Sequence, residues 1–381
     1  MFTRREIIKN EIKKLLSKEV AMYLIGVPLL LVLAFGYLYI NRIGREYPIV
    51  VVDGEKNATS RTAIFFLESS PDMHVTKIVS SMDEGYEEMR KGDALAVVYL
   101  PKGLYKNVLH KKSQPAVVVV DCRNLIPANS ILTGIAKTLG TARVGSELKL
   151  MEKYFPVSDR MQKILPLKVV ARPMGNPSVD YFLFVITAFL ILGIQQGTLI
   201  GSCMGIAKER EFNTLSNTIE SSGGRVKYFF YRHLVVLAFI TPIVFLASFL
   251  FFMVFSIPTE SFLLSFLALI LFTASVITFS QTIGTFFKRR LMVMQVLFFF
   301  ALPAFFLSGY TYPVESIPPL IRVFAALLPT TPILNVFPRI SYIEGSLPYL
   351  GGYILHQLAL YLLYMGLSFI GFKKLSKKIV K

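Results

Sequence analysis

The sequence has no tryptophan and only two cysteines, Cys122 and Cys203, in 381 residues. Two thiols make no disulfide framework and offer no metal-ligand spacing, so neither a stapled secreted fold nor a zinc site is expected, and each cysteine reads as a small buried residue. Charge is scarce too: 17% of residues are Asp, Glu, Lys or Arg, against roughly 25% in a soluble domain. The string G-x-x-x-x-G-K-[ST], whose backbone amides and lysine hold phosphates, is absent from the sequence. The stretch Ser221-Ser222-Gly223-Gly224 is turn material, not a nucleotide signature.

Apolar residues make up 54% of the chain, and mean hydropathy is +0.56. The missing charge is concentrated in six stretches free of Asp, Glu, Lys and Arg: residues 20–41, 181–207, 233–259, 261–287, 291–314 and 345–372. A hydrocarbon core of about 30 Å needs roughly 20 helical residues, so each stretch predicts a transmembrane helix. Intramembrane ionisable groups mark proton relays and ion-coupled transport; here His356, in the last stretch, is the sole titratable side chain expected in a span interior. The strongest polar groups are Gln195, Gln196, Gln281, Gln295 and Gln357. They are pathway candidates or hydrogen bonds between helices. Any uphill work is therefore expected to draw its energy from another subunit.

Net charge is +17, and its distribution gives an orientation. The segments before the first stretch, between the second and third, between the fourth and fifth, and after the sixth carry 19 Lys or Arg against six acids. The positive-inside rule makes that side cytoplasmic. Both termini are then inside and residues 42–180 outside. With the basic residues used by topology, no nucleic-acid partner is expected. The fold class is an α-helical polytopic membrane protein of six transmembrane helices, with an extracytoplasmic mixed α/β domain between helices 1 and 2, in a cell membrane of bacterial type.

Along the chain, residues 1–19 form a basic leader with Ile8, Ile12, Leu15 and Leu16 at helical spacing, suited to a helix on the inner leaflet in contact with lipid. After the first span (20–41), residues 42–178 alternate strand and helix patterns: strands at 47–53, around 73–79, 93–101 and 115–121, helices over 59–70, 82–92, 103–112 and 125–154. Ser60 lies near one helix start. Asp53, Asp121, Glu87, Glu88 and His110 show no catalytic pairing. The remainder, 179–381, holds helices 2–6. Its inner loop 208–232 repeats Phe212, Leu215 and Ile219 at i, i+3, i+7, an apolar edge that a partner protein can take. The outer segment 311–348 has seven prolines, among them Pro313, Pro318 and Pro329. Proline removes a backbone donor and clashes with the preceding turn, so no continuous helix is expected there, and IRVFAALL at 321–328 is at most a short interfacial or re-entrant helix.

Two motifs resemble the permease subunits of type-2 ATP-binding-cassette exporters, in the branch with a large outer domain after the first span. The cytoplasmic signature acid-x-acid-x-Gly-Thr-Leu is matched by Glu209, Glu211, Thr214 and Leu215, with Asn213 in place of the glycine. The second motif lies in residues 305–340, where Ser308-Gly309 and Pro313, then Ile317-Pro318, then Leu328-Pro329 precede the last span. The resemblance implies an export permease, not an enzyme. It implies two permease copies, identical or different, docked on separate ABC ATPase subunits that bind ATP and Mg; this chain binds no cofactor itself. It further implies a connector helix at 2–18 carrying Ile8, Ile12, Leu15 and Leu16. ATPase coupling would run through Glu209, Arg210, Glu211, Phe212, Thr214, Leu215 and Ile219, and an outer gate would form near Ser308, Gly309, Pro313, Pro318 and Pro329. A membrane-anchored sensor or envelope scaffold, whose outer domain binds a ligand or partner, is the competing reading. The substrate class, amphipathic or lipid-like, is an expectation from apolar spans alone.

Overall fold

A computed structural model describes residues 4–39, 46–103, 106, 116–122, 125–151, 181–257, 259, 261–312, 314–341 and 347–379. In chain order the elements are α1 (Arg4–Leu15), α2 (Lys18–Leu38), β1 (Tyr47–Asp53), α3 (Ala58–Glu68), β2 (Met73–Val79), α4 (Met82–Lys91), β3 (Ala96–Leu100), β4 (Val117–Val120), α5 (Leu125–Met151), α6 (Tyr181–Glu211), α7 (Leu215–Ser221), α8 (Arg225–Val254), α9 (Phe262–Gly284), α10 (Arg290–Leu307), α11 (Pro319–Ala326), α12 (Thr330–Ser341) and α13 (Leu347–Ile379). They form two compact units, Ile43–Arg172 and the rest of the chain.

The first of these units is a four-stranded sheet of order β2-β1-β3-β4, with β1, β2 and β3 parallel and β4 antiparallel to β3. Its central strands are apolar runs because both faces are covered. Ala63, Ile64 and Leu67 of α3 and Ile131 and Ile135 of α5 pack on Ile49, Val51 and Val98, while α4 covers Val50, Val52 and Val97. The cap of α3 is Asn57, whose side chain accepts from Thr59 N and Ser60 N; Ser60, near the start as the sequence reading has it, completes a capping box at the third helical position. Asp53 accepts from Glu55 N, Lys56 N and the Ser60 hydroxyl. That is turn-fixing chemistry, as an Asx turn requires. Glu88 is held by Lys77 and Lys91. His110, and nearly all of the helix expected over 103–112, lie outside the described residues.

In the second unit, six helices are long and apolar enough to cross a membrane: Lys18–Leu38, Phe182–Glu211, Arg225–Val254, Phe262–Gly284, Arg290–Leu307 and Leu350–Lys373. The sequence expectation of loop at 208–232 is corrected at both edges. α6 runs on through Glu211 and α8 begins at Arg225, which carries Arg232 and His233 two turns into a helix. His356 is therefore not alone as a titratable group in a span.

α6 is the core of this unit, and its sequence shows why. Gly193, Gly197 and Gly201 recur every four residues and lie against Pro28, Tyr23 and Leu24 of α2, the close approach that small residues allow between membrane helices. The two chain ends share one end of the bundle. Phe372 of α13 packs on Tyr228 and Leu215 there, and α1 bonds to Glu209.

At the opposite end the proline-rich segment forms a hairpin. α10 finishes at Leu307; Gly309 follows with φ +83°, a conformation glycine supplies without strain, and the Tyr310 hydroxyl donates to Phe184 O. α11 and α12 then meet at 73°. At their junction Thr330 donates to Gln195 Oε1 at 2.7 Å, and Tyr364 donates to Leu327 O at 2.5 Å. Gln195 lies thirteen residues into the span from Phe182, a depth of about 20 Å at 1.5 Å per residue. Ser341 is back at the far end, bonded to Ser265 at the start of α9. The segment enters and leaves by the same end, and the sequence underestimated its second leg. Pro332 sits in the first turn of α12, where the missing N–H breaks no bond, while Pro338 stands inside the helix; a buried helix persists where none was expected, one interior proline notwithstanding.

Candidate functional site

Three consecutive charged residues at the end of α6 each hold a different part of the unit. Glu209 is 4% exposed. Its Oε1 accepts from Lys14 Nζ of α1 at 2.6 Å, and its Oε2 accepts from the Tyr228 hydroxyl and, at 3.1 Å, from Arg232 Nη1, both on α8. Arg232, 2% exposed, also donates to the Tyr228 oxygen at 2.8 Å and lies 3.7 Å from Glu11. Lys14 pairs with Glu11 at 2.7 Å. Two carboxylates thus face two cations in a closed cluster. Buried charges persist only when paired in this way.

Arg210 points to the opposite side. Its Nη1 donates to Thr285 O at 2.5 Å, Phe287 O at 2.6 Å and Gly284 O at 3.4 Å, satisfying carbonyls that the end of α9 leaves open. Glu211 accepts from Arg290 N and Nε, each at 3.1 Å, and Arg290 reaches Glu19 of α2 at 2.5 Å. The Arg290 guanidinium lies over the Phe212 ring, 5.3 Å from its centroid. All three contacts run through one nitrogen, so losing it removes the anchor of this turn as a whole. Arg210→Ala is therefore expected to loosen residues 285–289, read as at least severalfold faster trypsin cleavage at Lys288 and Arg289 in membranes, with cleavage elsewhere unchanged; equal rates would remove this role.

The chain turns after α6 at Asn213, whose φ is +53°. Asparagine tolerates this left-handed conformation better than most side chains, so it serves where the resembling motif has glycine. Thr214 N then donates to Glu209 O, and α7 begins. Leu215 and Ile219 turn inward, onto Ile206, Tyr228, Phe229 and Phe372. The apolar edge read from the sequence is not offered outward as a whole; Phe212, 58% exposed, is what remains of it.

On α1, Leu15 is buried while Ile8, Ile12 and Leu16 are exposed. The face that meets the bundle is Glu11, Lys14 and Leu15. Between α1 and α7 opens a cavity of about 500 Å³ lined by Lys13, Lys14, Lys208, Thr214, Thr218 and Ser222.

The other residues singled out in the sequence are dispersed. Gln195 is at the hairpin junction, Gln196 donates to Leu297 O of α10, Gln281 is buried in α9, and Gln295 is exposed on α10. They do not form one lining. Ser308 is buried, its carbonyl accepting from Asn335 of α12; Pro318 caps α11, and Pro329 is buried at the hairpin junction. Pro313 lies outside the described residues. Sequence reasoning missed Glu11, Lys14, Glu19, Tyr228, Arg232 and Arg290 as site residues, because each was counted toward topology or amphipathicity. One signal was available: Tyr228 and Arg232 are four apart, on one helical face.

A local alignment of 184 residues at 25% identity, covering 47% of this chain and 49% of the relative, is found with the probable multidrug ABC transporter permease YbhR of Escherichia coli K12, and the same figures hold for its counterpart in Escherichia coli O157:H7. The chain spans about half the length of the curated relatives it matches. The model of the ABC-2 family transporter proteins matches residues 18–373. With six helices able to span a bilayer and nearly the whole chain inside that match, this is a multi-pass membrane protein that belongs to the ABC-2 family of transporter proteins.

Proposed function

We propose that the chain is the permease subunit of an ATP-driven exporter, with two permease copies working on separate ABC ATPase subunits that bind ATP and Mg. Both termini face the cytoplasm and the sheet unit lies outside, in a bacterial cytoplasmic membrane. The substrate is an amphipathic, drug-like or lipid-like molecule; the multidrug description of the E. coli relatives supports that class. The observation that carries the reading is the triple attachment of Glu209, Arg210 and Glu211 to α1 and α8, to the end of α9, and to α10. A push at this point reaches most of the spans together, which is what a subunit driven by an external motor needs.

Docking chemistry follows from what is exposed there. The lysines around the α1–α7 cavity suit acidic side chains of the ATPase, and the exposed Phe212 ring at the turn between α6 and α7 supplies an apolar contact. On the opposite side of α1, Ile8, Ile12 and Leu16 rest on the inner leaflet, as an amphipathic interfacial helix does. The test is reconstitution with the cognate ATPase. Phe212→Ala is expected to cut substrate efflux severalfold with insertion and thermal stability unchanged. Unaltered efflux and ATPase stimulation, or failure of any ABC ATPase to associate with the wild-type chain, would count against the assignment.

A further inference from the structure

Gln195, Thr198, Ser202 and Glu209 recur at i, i+3, i+7 and i+14 on α6, which places them along one side of the helix. All four are buried. Gly205 continues the stripe, and the Arg232 guanidinium fills the space a side chain would take there. The two ends of the stripe are satisfied, Gln195 by Thr330 and Glu209 by the ion cluster. The middle is not. Among the described residues Thr198 Oγ1 and Ser202 Oγ have no partner, although Thr187, Ser248 and Thr273 all bond back to the carbonyl four residues earlier, as helical hydroxyls in membranes usually do.

Facing groups share the deficit. The Ser280 hydroxyl donates to Leu199 O at 2.8 Å, which sets the next residue, Gln281, level with Thr198 and Ser202. Gln281 is fully buried, and both of its carboxamide atoms are unpartnered. From α8, the contact of Arg232 with Gly205 brings His233 to the same level; Arg232 Nε and His233 Nδ1 also have no protein partner, while His233 Nε2 meets the Tyr361 hydroxyl at 3.3 Å. Six polar atoms from three helices are thus left over in one region. Each costs about 1–3 kcal/mol if left dry, and no lipid group can relieve it.

We propose that this region is a binding site for internal water, held between α6, α8 and α9 and extending the Glu209–Arg232 cluster into the interior of the subunit. A buried water makes about three hydrogen bonds, so about two waters satisfy the six atoms. The lining selects a small neutral donor and acceptor: it offers hydroxyls, a carboxamide and an imidazole, and the buried arginine beside them repels cations. The proposal stands apart from the export assignment, since it concerns hydration of one subunit and needs no partner.

The experiment is X-ray radiolytic footprinting of the full-length chain in lipid nanodiscs, where hydroxyl radicals arise from water next to the reacting side chain. His233 is expected to be oxidised severalfold faster than Phe272 and Phe337, which are equally buried but lie among apolar neighbours. Gln281→Leu, which removes two of the six polar atoms, is expected to lower the His233 rate severalfold while leaving exposed Phe299 unchanged. A His233 rate no greater than that of Phe272 in the wild-type chain would overturn the proposal whatever the variant does. A Gln281→Leu protein that folds and labels His233 at the wild-type rate would overturn it as well.

Discussion

Glu209→Gln is expected to destabilise the membrane unit by about 3–5 kcal/mol, the usual cost of removing one partner from a buried ion pair. The substitution keeps shape and removes charge. Arg232 stays protonated, because a guanidinium does not lose its proton in a protein, and it is 2% exposed. Only Glu11, at 3.7 Å, is then left to balance it, and Glu11 is shared with Lys14. Glu211→Ala is the contrast. Its pair with Arg290 is a quarter to a third exposed, and such pairs contribute about 0–1 kcal/mol. Denaturant unfolding in mixed micelles measures the difference, and Glu209→Leu, Arg232→Met and the two combined make a double-variant cycle. Apolar replacement of a whole buried pair is often neutral or stabilising, so the double variant should recover most of the loss. A single-variant loss below about 1 kcal/mol, or a double variant worse than either single, would show that the pair is not the buried electrostatic unit described here.

The sequence exposed the parts of this structure that depend on local patterns. Six spans follow from composition, since a charge-free stretch of twenty residues has few alternatives in water. The sheet unit follows from apolar runs such as Ile49–Val52 alternating with amphipathic helices, and each expected strand is found within a few residues. The ion cluster was not legible in this way. Lys14 is 195 residues from Glu209, Arg232 stands at the far edge of the stretch read as one inner loop, and charges near span ends carry two meanings at once: orientation relative to the membrane, and pairing within the protein. Periodicity likewise could not say which way α7 faces. Leu215 and Ile219 look the same in sequence whether they serve a partner or the chain's own core, and Phe372, which decides the matter, comes from the other end of the chain. The break expected from the prolines is found between α11 and α12, which meet at 73°; what proline counting could not give is α12 itself, because Pro332 falls in its first turn, where no bond is lost, and Pro338 is held inside a helix whose residues are mostly buried.

Gly197→Ala is expected to be the most damaging substitution among Gly193, Gly197 and Gly201, the three glycines of α6 that lie against α2. A methyl group there would lie 2.5 Å from Tyr23 O and 2.7 Å from Pro28 Cδ. Both obstacles are rigid, one a main-chain carbonyl beside the π-helical turn Met22–Gly26 and the other a proline ring. Two terms oppose each other. Alanine improves helix propensity by about 1 kcal/mol over glycine, whereas forcing atoms into a packed contact costs about 1–3 kcal/mol or more. With no side chain able to rotate away, the second term wins and α2 must move off α6. Gly201→Ala meets Leu24 Cγ at 2.6 Å, a flexible side chain, and should cost less; Gly366→Ala meets nothing within 4 Å and should gain up to the propensity term. The order of melting temperatures is therefore Gly366→Ala above wild type, then Gly201→Ala, then Gly197→Ala. A displaced α2 also carries Glu19 away from Arg290, so the Gly197 variant should show faster tryptic cleavage at Lys288–Arg290 even below its melting temperature. Stability equal to wild type together with unchanged cleavage would mean that α2 and α6 are not in close contact along this stripe.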